Sequence, residues 1–233
     1  MTARTLVVVT AGLTQPSSTR LLADRLAAGT RDRLARLGVQ AHTQTVELRE
    51  HGRDVMNNLL TGFPSTRLAG VVDQVRGADG LIAVTPIFNA SYSGLFKAFF
   101  DILDSDALVD RPVLIAATGG TARHSLALEH AVRPLLVYLH AVVMPTSVYA
   151  APEDWAGGLD SDGARESGHP GGDPEIAVPG SADPPPVGGP APLHTRIERA
   201  AGELAASMSQ REPRAAPDPF ALTTPFEDLI AGS

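Results

Sequence analysis

The sequence predicts an α/β domain built on a doubly wound, five-stranded parallel sheet with helices on both faces. Short β-branched apolar runs, helical stretches between them, and the regular alternation of the two support this prediction. Strands that are buried on both faces of a parallel sheet are continuous apolar runs. Alternating strands and helices pack as right-handed βαβ units.

The first half of the chain supplies two strands and two helices. Residues 5–10 (TLVVVT) are a buried strand, and residues 18–37 keep leucines at helical spacing until Gly38, which ends the helix. Residues 41–48 (AHTQTVEL) are a weaker strand, since polar and apolar residues alternate there. A second helix is expected at about residues 65–76.

The second half continues the alternation. Two runs are apolar enough for central strands, residues 80–85 (GLIAVT) and 112–118 (PVLIAAT). The fifth predicted strand is at residues 141–149 (AVVMPTSVY). Helical patterns occupy residues 92–104 and 124–140 between them.

Composition changes after the fifth strand. Residues 151–192 hold nine Gly, nine Pro and eight acidic residues against one Arg, so we expect a flexible insertion there. The rest of the chain is neutral, because this segment accounts for the whole net charge of −7. The predicted organisation is a core at 1–150, the insertion, a final core helix at 193–210 and a tail at 211–233.

Composition also excludes several kinds of protein. The chain has no cysteine, so disulfides, thiolate metal sites and a cysteine nucleophile are ruled out. No apolar window reaches the roughly 18 residues of a membrane span, and the N-terminal apolar run is too short for a signal peptide. Without a basic cluster or metal-type histidine spacing, we expect a cytoplasmic protein that contacts no membrane, nucleic acid or metal.

Polar loops follow three of the strands. The first, TQPSST, places Ser17, Ser18 and Thr19 at the start of a helix, where hydroxyls, backbone N–H groups and the helix dipole can bind a phosphate. In an open parallel sheet, ligands bind beyond the carboxyl ends of the strands. The alternative is that one serine only caps the helix.

The second loop, TPIFNASYSG at residues 85–94, resembles the T-P-x-Y-N-x-S-x-x-G pattern of the NAD(P)H-dependent FMN reductases, which are flavodoxin-like enzymes. Phe88 replaces the usual Tyr, while Pro86, Asn89 and Ser91 match. Lys97 and Asp101 match positions of the following helix, which in that family packs at a subunit interface; the alternative is that they form only an ordinary i,i+4 ion pair. The resemblance implies a sheet order of 2-1-3-4-5 and a flavin ring at Pro86–Asn89.

The third loop, Thr118-Gly119-Gly120-Thr121, is similar to the T-G-G turn that lies beside the flavin in that family. Adjacent glycines let a backbone approach a flat ligand. TQPSST resembles the family's phosphate loop G-S-x-R-x-x-S, but Gly12 replaces its first serine and Thr14 its arginine. The resemblance implies FMN contacts from Thr10, Gly12, Leu13, Gln15, Ser17, Ser18, Thr19, Pro86, Ile87, Phe88, Asn89, Thr118, Gly119 and Gly120.

The implied activity is hydride transfer from NADPH or NADH to FMN. The flavin carries the reactive atom, so we expect no catalytic side chain. Arg123 and His124 either line the substrate side or are merely solvated. FMN is expected to bind better than FAD, since nothing resembles an adenine site.

Longer runs such as TPIFNASYSGLFKAFFD look closest to actinobacterial FMN reductases that supply reduced flavin to luciferase-like monooxygenases. The alternatives are a quinone or azo-dye reductase with bound FMN, and a flavodoxin-type electron carrier. The apolar residues around the helix at 92–104 also predict a homodimer or homotetramer.

Overall fold

The computed structural model describes residues 3–156 and 191–213. Its strands are β1 (Ala3–Thr10), β2 (Gln40–Glu47), β3 (Gly80–Phe88), β4 (Ser91–Tyr92), β5 (Pro112–Thr118), β6 (Val142–Val143) and β7 (Val148–Ala150). Its α-helices are α1 (Ser18–Arg36), α2 (Gly52–Thr61), α3 (Thr66–Gly77), α4 (Gly94–Asp101), α5 (Arg133–Tyr138), α6 (Pro152–Ala156) and α7 (Leu193–Ser209). Shorter helical turns span Leu48–Glu50, Ala122–His124 and Leu128–Val132.

The parallel sheet runs β2-β1-β3-β5-β6, and β7 also pairs with β5. This is the flavodoxin-like order expected from the sequence, since β4 is only a short antiparallel strand beside β3. The predicted fold class is therefore confirmed.

The fifth strand is not continuous, so the prediction of a single strand at 141–149 was wrong. β6 pairs with the start of β5 and β7 with its end. Between them lies Pro145, which has no N–H to donate to a ladder. Thr146 instead bonds through its N–H (2.8 Å) and hydroxyl (2.6 Å) to the Glu203 carboxylate of α7.

The third strand is longer than predicted and runs through Pro86 to Phe88. β1 pairs with β3 only as far as Val84, so Pro86 lies where β3 has a parallel neighbour on one side only. A proline is tolerated in such an edge position.

Three helices match their predictions closely, namely α1, α3 and α7. The helix expected at 92–104 is shorter, because Ser91 and Tyr92 belong to β4 and Ser93 caps the helix by accepting from Phe96 N at 3.2 Å. The prediction of one continuous helix at 124–140 was wrong. This segment is divided into turns ahead of Pro134, whose ring and missing N–H disfavour a helix interior.

Two apolar layers enclose the sheet. On one face, leucines of α1 and α7 cover Leu6, Val8 and Ile82. On the other face, α3 and α4 cover the sheet, with Phe96 and Phe100 fully buried. The apolar residues of α4 thus pack in the core of their own chain, so they no longer argue for an oligomer.

Only part of the expected insertion is described. Ala151 is buried, and residues 152–156 form α6, which packs on the core. Residues 157–190 and 214–233 lie outside the described part, and with them most of the predicted insertion and tail. Within the described residues, no helix is long and apolar enough to span a membrane, and no group of three potential metal ligands occurs.

Candidate functional site

A cleft of about 420 Å³ opens at the carboxyl edge of the sheet. The three polar loops meet there, as the parallel topology requires. Its walls comprise Leu13, Thr14, Ser17, Ser18, Thr19, Pro86, Ile87, Phe88, Thr118, Gly119, Gly120, Ala150, Pro152 and Trp155. Ten of these were singled out from the sequence, while Thr14, Ala150, Pro152 and Trp155 were not.

The first loop forms one end of the cleft. Ser17 is the N-cap of α1, and its Oγ accepts from Arg20 N at 3.2 Å. A Cβ on Gly12 would lie 2.2 Å from that Oγ, so a serine at position 12 would displace Ser17. The departure from the family loop therefore makes room for this cap. The first turn of α1 carries no acidic residue, and its leading N–H groups are available to an anion.

A hydrogen bond between two hydroxyls connects the first and third loops. Thr19 Oγ1 and Thr118 Oγ1 lie 2.8 Å apart, and either atom can be the donor. Both residues are buried, with 3% and 5% of their surfaces exposed. One of the two hydroxyl protons stays free for a ligand, because a single hydrogen bond uses only one of them.

The second loop is a β-hairpin whose tip is aromatic. Asn89 and Ala90 have φ values of 48° and 65°, which is the two-residue turn with positive φ that hairpins favour. Phe88, just before the turn, is 49% exposed and lines the cleft. Thr85 Oγ1 accepts from Ser93 N at 3.1 Å and ties the two ends of the hairpin together.

The two glycines of the third loop have different surroundings. A Cβ on Gly119 would lie 2.0 Å from the Tyr149 hydroxyl, whereas Gly120 faces open space. Tyr149 donates to Thr121 O at 2.8 Å and so holds this turn, and burial raises the pKa of its phenol. Gly119 is needed for packing, and Gly120 leaves the turn open to the cleft.

Several expected residues lie outside the cleft lining. Thr10 is buried, and its Oγ1 has no hydrogen-bond partner. Gln15 turns to Arg49, and its side-chain amide lies against the guanidinium. Arg123 and His124 are exposed in the turn after the third loop. Asn89 is part of the hairpin turn, and Gly12 lies so close to Ser17 that a side chain would not fit there.

An ion-pair network lies beside the first loop. Glu47, at the end of β2, accepts from Arg49 Nε at 2.8 Å and also pairs with Arg20. The hydrogen bond from Arg49, together with both guanidinium charges, holds the pKa of Glu47 below its ordinary value. Arg20 pairs further with Asp24 at 2.8 Å. This network fixes the position of Arg20, whose backbone N–H donates to Ser17 Oγ.

The fourth wall of the cleft was missed by the sequence reasoning. Pro152 and Trp155 of α6 provide it, directly after β7 ends. One feature of the sequence could have indicated this wall: Trp155, the only tryptophan of the chain, comes shortly after the carboxyl end of the last predicted strand.

The donor set of this cleft fits FMN. Neutral hydroxyls and helix N–H groups at the first loop suit a dianionic phosphate monoester. The exposed Phe88 and the uncovered backbone at Gly120 suit a flat ring.

Comparison with known proteins confirms the family expected from the loop motifs. The model of the NADPH-dependent FMN reductase family matches residues 4–156. An FMN reductase (NADPH) of Pseudomonas aeruginosa is 36% identical over 151 residues, which are 64% of this chain and 77% of that protein. The NADH-dependent FMN reductase SfnF of Pseudomonas fluorescens is 36% identical over 150 residues, or 64% of this chain and 78% of that one.

A solved structure of an oxidoreductase is also similar to this chain. The X-ray structure of an oxidoreductase from Corynebacterium diphtheriae is 41% identical, with a TM-score of 0.74, and the match covers 91% of this chain and 100% of that one. Because the family match spans the sheet and all three loops of the cleft, this chain belongs to the NADPH-dependent FMN reductase family.

Proposed function

We propose that the protein uses NADPH or NADH to reduce FMN in the cleft at the carboxyl edge of the sheet, and that it supplies the reduced FMN to a flavin-dependent monooxygenase. The convergence of the three loops around one cleft is the observation that supports this most directly. Similar identity to an NADPH-dependent and an NADH-dependent relative leaves both nucleotides open.

The cleft residues divide into two groups by the part of FMN that they suit. Ser17, Ser18 and Thr19 hold the phosphate at the N-terminus of α1. Phe88 and Gly120 flank the ring and leave one of its faces to the nicotinamide. Arg123 and His124 are exposed beside the third loop, and in this proposal they meet the phosphates of the nucleotide.

When it is bound, FMN provides the hydride acceptor, its N5 atom, so the protein needs no acid, base or nucleophile for this step. The side chains hold the phosphate, orient the ring and keep one of its faces accessible.

The monooxygenase role is supported by the likeness of whole segments to reductases of that kind. The competing function is a quinone or azo-dye reductase, which would use the same cleft. Steady-state oxidation of NADPH and NADH with added FMN, a quinone or an azo dye separates the two. Oxidation that rises with free FMN supports flavin supply, and oxidation that responds only to quinone or dye overturns it.

An electron carrier is the remaining alternative. If neither nucleotide reduces bound FMN while a one-electron donor does, the enzymatic proposal is wrong. A stopped-flow record of the visible absorbance of the flavin would show this directly, since reduction of the oxidised flavin by hydride transfer bleaches that absorbance.

We also propose that the protein is a homodimer or homotetramer. α2 carries an exposed apolar stripe made of Met56, Leu59 and Leu60, and the exposed Phe63 follows just after the helix ends at Thr61. Leu60 and Phe63 are 78% and 79% exposed. Such a stripe fits the same helix of a second copy. Leu60→Glu should lower the mass measured by light scattering, while Leu37→Glu, at an exposed site after α1, should not. An unchanged mass for Leu60→Glu would contradict this interface.

A further inference from the structure

The wall formed by α6 stands beside the proposed phosphate site. Pro152 and Trp155 line the same cleft as Ser17, Ser18 and Thr19, but they belong to none of the three loops. They lie within the residues that the family model matches, but outside the loop motifs that carry the resemblance.

Trp155 lies over the first turns of α1. The guanidinium carbon of Arg25 is 5.1 Å from the centre of its ring, and the indole packs partly buried against the core on the α1 side of the sheet. Ser18, which lines the cleft, precedes Arg25 by seven residues on the same helix, or about 10 Å along the helix axis. The ring therefore lies on the α1 side of the cleft, which is the side that carries Ser17, Ser18 and Thr19.

This wall is fixed at several points. Asp154 accepts from Ala151 N at 2.9 Å and pairs with Arg196 of α7, and both side chains of this pair are about four-fifths buried (19% and 20% exposed). Arg196 also donates to Tyr149 O and, at 2.8 Å, to Ala191 O. Partly buried, multiply bonded charges hold position better than surface pairs do. The contact with Arg25 adds a cation–π attraction.

Resting on the proposed function, we propose that Trp155 determines flavin specificity by closing the cleft beyond the terminal phosphate of FMN. FMN ends in a phosphate monoester, whereas FAD continues through a second phosphate to adenosine. A fixed ring in that path rejects the longer molecule by steric clash. It leaves the contacts of FMN itself unchanged.

Isothermal titration calorimetry with FMN and with FAD tests this on the full chain. The unaltered protein should bind FMN more tightly. Trp155→Ala should raise the affinity for FAD relative to FMN by roughly tenfold, the range in which a pocket wall discriminates. Trp155→Phe keeps most of the packing and should shift the ratio less, in the same direction. Tyr138→Ala removes an exposed aromatic outside the cleft and should leave the ratio unchanged.

The outcomes separate this inference from the proposed function. If the unaltered protein binds neither flavin, the proposed function fails. If it binds FMN but both Trp155 variants keep the original ratio, the specificity inference fails and the proposed function stands. Equal losses of FMN and FAD affinity also leave the ratio unchanged and overturn the inference. Should thermal melting show Trp155→Ala unfolded, the ratio for Trp155→Phe decides alone.

Discussion

The two ends of the cleft are built differently. At the proposed phosphate end, Ser17 caps α1 and the buried hydroxyls of Thr19 and Thr118 bond to each other, so these polar groups hold one another in position. At the ring end, Phe88 stands half-exposed on a hairpin tip. From this difference we expect the affinity for FMN to depend mainly on the phosphate end, while the ring end stays open for a nicotinamide to stack.

The largest expected effect is at the phosphate end. Ser17→Ala removes the hydroxyl that we propose binds the phosphate of FMN. Loss of one hydrogen bond to a charged group costs about 1.5–3 kcal/mol. FMN affinity should therefore fall roughly tenfold to a hundredfold, as measured by calorimetry. The variant also loses a helix cap, so its free energy of unfolding should fall by about 1 kcal/mol.

Ser65→Ala is the matched control. Ser65 caps α3 by accepting from Leu68 N at 3.2 Å, the same distance as the Ser17 cap, but it lies outside the cleft lining. It should lose the same stability and keep its FMN affinity. If Ser17→Ala behaves like Ser65→Ala, then Ser17 is only a cap.

The next effect tests whether the first and third loops act as one unit. Thr19→Ala and Thr118→Ala should each weaken FMN binding by roughly tenfold, since either change breaks the shared hydroxyl bond. The double variant should be little worse than either single one, with a coupling energy of about 1 kcal/mol in a double-mutant cycle. Additive losses would show that the two hydroxyls bind FMN independently.

Much of this arrangement was predictable because it depends on local sequence. The apolar runs identified β1, β3 and β5, and parallel topology then brought the loops after them to one edge. The contacts that complete the cleft join distant residues instead. The Thr19–Thr118 bond spans 99 positions and the Asp154–Arg196 pair spans 42, so no local pattern signals them.

The missed elements have the same cause. The break in the fifth strand depends on Glu203 of α7 receiving the N–H and hydroxyl of Thr146. Val55 is the one buried residue of α2, and the other large apolar side chains of this helix are exposed. The sequence pattern of α2 therefore does not indicate a helix that packs on the core. Such features are decided by tertiary contacts that override the local signal.

A smaller effect is expected at the ring end. Phe88→Ala should weaken FMN binding about fivefold, because an aromatic contact contributes about 1 kcal/mol. Its melting temperature should hardly change, since Phe88 is half-exposed. Phe88→Tyr, the residue usual in the family motif, should bind FMN as the original does. A loss at Phe88→Ala larger than that at Ser17→Ala would reverse the comparison between the two ends.

The smallest effect should come from removing residues 157–190, which we propose are dispensable for folding and FMN binding. The flanking ends lie near each other, because Arg196 bonds both to Asp154 and to Ala191 O, and a Gly-Ser linker can therefore join Ala156 to Ala191. The deletion removes six acidic residues and one Arg, so it takes away net negative charge that repels an anionic flavin. Thermal melting and FMN calorimetry should both stay close to the original values, and a slight gain in affinity at low salt is the only change expected. A variant that fails to fold, or that loses FMN binding while Trp155 is retained, would show that this segment is part of the core.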